Sequence, residues 1–210
     1  MFRPSNPRGF TLIEMLTVML IIAILAGLVL SINGLVHAKA ASARAEGEIK
    51  SLSLSAESYK ADNGSYPRTE KTDALDPRTS LNPTTQDYQD ASRDLYIALS
   101  GDTNTNGKLE DTEGKNYGAD FFKPSVLSAT KDGSGAIVTV NYIKDPYDNC
   151  YGYSTKGAKA EEAYATSLRS NPKATRPTTT DGYNPTFDLW STGGTTGSGS
   201  AGNAKWIKNW

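Results

Sequence analysis

Twelve residues of this chain, Asp102-Thr103-Asn104-Thr105-Asn106-Gly107-Lys108-Leu109-Glu110-Asp111-Thr112-Glu113, fit the calcium-loop template D-x-[DN]-x-[DN]-G-x5-E at every specified position. The spacing has a chemical reason. A hard cation takes six to eight oxygens, and this loop offers them from Asp102, Asn104, Asn106, the Lys108 carbonyl and Glu113, with Gly107 allowing the sharp turn. The plainer alternative is an unoccupied turn, because Asn, Asp and Gly also cluster where the backbone simply reverses. No second helix obviously follows, so the expectation is an EF-hand-like loop rather than a full EF-hand. A second chemically pointed residue is Glu14, the only charge between Phe10 and Val36. An acid inside an apolar run costs about 2.5–3.5 kcal/mol on membrane-insertion scales and calls for a partner. Its plainer alternative is a first-turn carboxylate favoured by the helix dipole.

Enzymatic patterns are missing. There is no nucleophile elbow, phosphate loop or zinc spacing, and His37 sits at the end of the apolar run as an interfacial residue. Asp145-Pro146 reads as a turn rather than half of an acid/base pair. Cys150 is the single cysteine, so no intramolecular disulfide forms, and it reads as a small half-buried residue in a strand. The chain is expected not to be an enzyme.

The elements that must position these residues begin with the apolar run itself. Met15 to Val36 carries no charge and would be about 33 Å long as a helix, which matches a bilayer core. An ordinary secretory signal places its small-residue cleavage site after the apolar core, whereas here a short stub, MFRPSNPRG, with two arginines and a terminal glycine, precedes it. Beyond Val36, Ile49, Leu52, Ala56 and Tyr59 recur at helical spacing in an Ala/Lys/Glu/Ser-rich stretch, so one helix is expected from Thr11 to Asp62. At about 78 Å it exceeds what one membrane requires. Asn63-Gly64 followed by Pro67 stops it.

The remaining chain is polar and loop-rich. Only 37% of the 210 residues are hydrophobic, against 19 glycines and 10 prolines, which bounds the soluble part to one small core. The net charge of −1 gives no basic surface for phosphates, so no nucleic-acid partner is expected. A loop is expected to about Thr85, then a helix over 87–100 that buries Tyr88, Ala91, Leu95 and Leu99 and ends at Gly101. Residues 136–143, 150–154 and 186–191 have strand composition and are read as one antiparallel sheet. Residues 158–170 form a short helix or an ordered loop. GGTTGSGSAG is linker, and the aromatic end KWIKNW docks back or stays free.

Gly9-Phe10-Thr11-Leu12-Ile13-Glu14 running into an apolar helix resembles the signal of type IV pilins and type II secretion pseudopilins. Three further blocks resemble the major pseudopilin (G-type): Tyr59 to Pro67, Asp145 to Tyr153, and Phe187 to Ser191 with a terminal Asn209-Trp210. Residues 68–135 look like an insertion. The resemblance implies an α+β, pilin-like fold in which a long N-terminal transmembrane and amphipathic helix packs on a small antiparallel sheet. It implies three segments: a cleaved leader at 1–9, a transmembrane assembly helix at 10–36, and a periplasmic domain at 37–210. A prepilin peptidase would cut between Gly9 and Phe10 and methylate the new amine. Glu14 would meet that amine on a neighbouring subunit during assembly.

The implied function is a structural subunit of a type II secretion pseudopilus. It would be single-pass in the inner membrane with its N-terminus cytoplasmic, forming a polymer with other pseudopilins and contacting membrane lipid and the inner-membrane secretion platform. The alternatives are a type IV pilin for adhesion, motility or DNA uptake, and a membrane-anchored binding or enzymatic domain. Many pilins close a C-terminal loop with a disulfide, which one cysteine cannot form, and this favours the pseudopilin. The resemblance also implies calcium in the loop after the last strand. Here that loop, Thr192 to Asn203, contains no Asp or Glu.

Overall fold

Thr11 begins the first helix through a reciprocal cap. Its backbone N–H and its hydroxyl both donate to Glu14 Oε2 (2.8 and 2.7 Å), while Glu14 N–H points at Thr11 Oγ1 (3.4 Å). This is the T-x-x-E capping box. In the computed structural model, which describes residues 9–108, 113–118, 121–176, 181–195 and 205–210 and omits the side chains of 28–35, helix α1 spans Leu12–Asn63. It ends as expected: Gly64, at φ 79°, donates its N–H to the Lys60 carbonyl at 2.8 Å. Of the expected leader at 1–9, residues 1–8 lie outside the described residues.

The chain divides into two units, Met1–Ala40 and Ala41–Trp210. In the first, the described side chains from Phe10 to Leu25 include a dense set of exposed apolar groups, among them Phe10 at 78% and Leu12 at 82%. Among the described residues no helix is long and apolar enough to cross a membrane. The expected span, 15–36, runs through 28–35, whose side chains are not described.

The second unit is built around two apolar clusters. One joins Ile49, Leu52 and Ala56 of α1 to Leu95, Leu99, Val140, Tyr151, Tyr153 and Leu189. The other gathers Leu75, Tyr88, Ala91, Cys150, Trp190 and Trp206. Helix α2 (Glu70–Ala74), within the expected loop, is nucleated by a second capping box between Thr69 and Thr72. Helix α3 (Gln86–Ser100) buries Tyr88, Ala91, Leu95 and Leu99, the expected face, and stops at Gly101 in the left-handed conformation. Helix α4 (Lys156–Ser170) forms with only Gly157 buried.

The single expected sheet is two. Strands β1 (Leu127–Lys131) and β2 (Ile137–Ile143) form an antiparallel hairpin on α3, whereas β3 (Gly152–Ser154), β4 (Asp188–Ser191) and β5 (Ile207–Lys208) form a second antiparallel sheet in the order β3-β4-β5. The reason lies at Asp145-Pro146, where the Asp145 carboxylate accepts N–H groups from Tyr147 (2.9 Å) and Asn149 (2.8 Å). That tight turn reduces the ladder between β2 and the next segment to one bridge, Lys144 with Cys150. β1 is too short and too weakly apolar to stand out in the sequence, with Leu127 its one buried residue. The aromatic end docks: it supplies β5, and Trp206 is buried. Cys150 is fully rather than half buried, at 1% exposure, and burial pushes its thiol pKa up.

Candidate functional site

At the N-terminus the expected processing residues, Gly9 and Phe10, lie just ahead of α1, and the expected assembly residue, Glu14, lies in its first turn. Gly9 and Phe10 are exposed, and a side chain at Gly9 would meet nothing within 4 Å among the described residues. Glu14 sits one turn beyond, held by Thr11 as described above. The capping geometry supports the plainer alternative for this carboxylate without excluding a second partner, since Oε2 takes both Thr11 bonds and a carboxylate has further acceptor sites.

The loop at 102–113 is assembled by the elements around it. Gly101 ends α3 and delivers Asp102 to a fully buried position, where Tyr96, six residues back on α3, donates its hydroxyl to Oδ2 at 2.5 Å. Burial, reinforced by that carboxylate, pushes the Tyr96 hydroxyl pKa well up, so Tyr96 stays a donor. Asp102 also receives the N–H of Asn106 on Oδ1 (3.1 Å) and of Gly107 on Oδ2 (2.8 Å). Asn104 Oδ1 accepts from Asn106 N–H (2.9 Å), and Asn106 Oδ1 from Lys108 N–H (2.7 Å). Asn104 Nδ2 donates to Glu113 Oε1, which brings the first and second halves of the loop together. Left-handed Thr105 and Gly107 (φ 59° and 76°) curl the chain around these oxygens.

The loop is fastened to the hairpin, where Val140 N–H donates to the Thr105 carbonyl at 2.7 Å and Ile137 packs against Gly107. Four of the five expected ligands therefore sit in one hydrogen-bonded ring, with Lys108 at its edge. The donor set suits a hard cation. Among the described residues Asp102 Oδ1, Asn104 Oδ1 and Asn106 Oδ1 each accept one backbone N–H, and an sp2 oxygen with one such bond has a second lone pair for a metal. Among the described residues no three His, Cys, Asp or Glu side chains come together as a metal cluster, so the set rests on two carboxylates supplemented by amide and carbonyl oxygens. Residues 109–112 lie outside the described residues.

With this geometry in view, one comparison is informative. Residues 4–30 match the prokaryotic N-terminal methylation motif. The chain carries a type IV pilin-like signal. The matched stretch covers Gly9, Phe10 and Glu14 together with the first turns of α1, the segment whose apolar side chains are exposed. Neither a curated protein nor a solved structure matches the chain.

Proposed function

We propose that this protein is a filament subunit of the bacterial envelope, cut between Gly9 and Phe10 and methylated there, and that its filament is a type II secretion pseudopilus. The observation that carries the reading is the methylation motif at 4–30 running straight into a helix with exposed apolar side chains. Apolar groups displayed in this density need a covering, first lipid and then neighbouring copies of the same helix. In this reading α1 anchors the subunit in the inner membrane through Met15 to Val36, and Glu14 pairs with the Phe10 amine of a neighbouring subunit as it enters the filament. The single buried Cys150 supports a pseudopilin over a disulfide-closed pilin. Gene deletion, scored together for protein export and for surface pili, tests it: export is lost and pili remain. Loss of pili with normal export would make the protein a type IV pilin instead. Retention of an uncut N-terminus without filaments would leave only a membrane-anchored domain.

Within that subunit the 102–113 loop is a calcium site. The supporting observation is the ring of Asx oxygens around a buried Asp102, matching the template residue for residue. Bound calcium would supply charge neutralisation for Asp102 and Glu113 and fasten α3 to the hairpin through Thr105 and Val140. Thermal unfolding of the full chain in detergent, with calcium chloride or with EGTA, is the test. Calcium at a hundred times its Kd should add about 2.7 kcal/mol of stability, and no shift would remove the site.

A further inference from the structure

The C-terminal segment offers a different inference, independent of the filament reading. The resemblance to pseudopilins implies a calcium ion in the loop after the last long strand, so the question is whether the residues around Thr192 to Asn203 fit one. They do not. The loop has no acidic side chain, and the nearby carboxylate of Asp145 has both lone pairs of Oδ1 and one of Oδ2 in hydrogen bonds, too little to hold a cation by itself. Its Oδ1 accepts two backbone N–H groups and its Oδ2 accepts the Ser191 hydroxyl at 2.5 Å. Described polar groups of the loop are bonded within it and to its neighbours: Gly193 N–H to Ser191 Oγ (3.1 Å), Thr195 hydroxyl to the Thr192 carbonyl (2.7 Å), and Asn149 Nδ2 to Thr192 Oγ1 (3.3 Å).

What holds the segment is instead visible as two sets of contacts. The first is a strand ladder extended by one side chain. β5 pairs with β4 at Trp190–Lys208 and Ser191–Ile207. Asn209 then continues the pairing, donating its N–H to the Leu189 carbonyl (3.1 Å), accepting Leu189 N–H on Oδ1 (2.9 Å) and donating Nδ2 to the Phe187 carbonyl (3.2 Å). The second is aromatic. Trp206 stacks on buried Trp190 with centroids 5.8 Å apart, Trp210 meets Trp190 edge-on at 5.9 Å, and Trp210 stacks on Tyr183 at 4.6 Å. Such ring pairs add about 0.5–1.5 kcal/mol each beyond the area they bury.

We infer that the C-terminal segment is clamped onto β4 by Trp206, Asn209 and Trp210 without a metal ion, so that its hold on β4 does not depend on calcium. The clamp gives the aromatic end a role that a metal-held loop would not need.

Hydrogen exchange of the full chain in detergent, followed peptide by peptide in calcium chloride and in EGTA, tests this directly. Exchange over 205–210 should be the same in both. In EGTA, Asn209→Ala and Trp206→Ala should each speed exchange there by about tenfold or more, while Trp206→Phe, which keeps a stacking ring, should stay close to the parent. Faster exchange over 205–210 on chelation, reversed by calcium, would overturn the inference. So would unchanged exchange in both alanine variants. A calcium response confined to the peptides around 101–118, or none anywhere, leaves the clamp standing, and the latter removes only the separate calcium reading of that loop.

Discussion

In the proposed filament Glu14 would serve two physical demands at once, and one substitution separates them. Its carboxylate closes the capping box with Thr11, and glutamine fills that capping position nearly as well. Pairing with a neighbour's amine needs the charge. Glu14→Gln should therefore be cut and methylated normally but enter filaments poorly, as judged by mature N-terminal mass and filament yield. Wild-type yield would reduce Glu14 to a helix cap. Asp145 makes a different residue-scale prediction. Burial raises its pKa, although hydrogen bonds from Ser191, Asn149 and Tyr147 oppose the shift. An acid whose pKa is raised on folding favours the folded state while protonated, and this contribution is fully present below the unfolded pKa and lost as pH rises through the folded value. Asp145→Asn keeps acceptors for the two N–H groups and carries no charge. Its stability at neutral pH should stay within about 1 kcal/mol of the parent. Urea unfolding at about pH 4 and about pH 7 should show the parent losing this increment with rising pH and the variant not.

At the scale of elements, close approach rather than propensity decides where β3 can lie. Gly152 opens β3, and a Cβ there would come within 2.2 Å of the Trp190 ring and 2.6 Å of the Tyr88 hydroxyl. These contacts let α3, β3 and β4 meet around Trp190. Gly152→Ala should cost about 1–3 kcal/mol or more through overpacking, read by denaturant unfolding. The helices were legible because their signals are local. Tyr88, Ala91, Leu95 and Leu99 fall on one face, and Gly64 and Gly101 end their helices at positive φ. The sheets were less so. The expected strands at 136–143, 150–154 and 186–191 exist in trimmed form, but their grouping depends on the turn at Asp145 and on β1 and β5, neither of which shows a period-2 pattern long enough to read.

For the whole molecule, the division at Ala40 separates a segment of exposed apolar side chains from a unit with its own buried clusters. Residues 41–210 should therefore fold on their own and sediment as a monomer without detergent, whereas the full chain should need detergent or assemble. Sedimentation velocity on both distinguishes these outcomes, and aggregation of the shorter chain would show that its core is incomplete without the preceding segment.

The sequence by itself determined the N-terminal signal, the long helix with its stop at Asn63-Gly64, the buried face of α3 and the ligand spacing at 102–113. Each depends on residues within a few positions of one another, where hydrogen bonding and helical periodicity act directly. Only the tertiary structure decided that the strands split into two sheets, that Asp102 is buried beneath Tyr96 with its loop tied to Val140, and that Trp206 to Trp210 close against Trp190. Those outcomes join residues far apart in the chain, and which distant surfaces meet is settled by packing, which spacing alone does not encode.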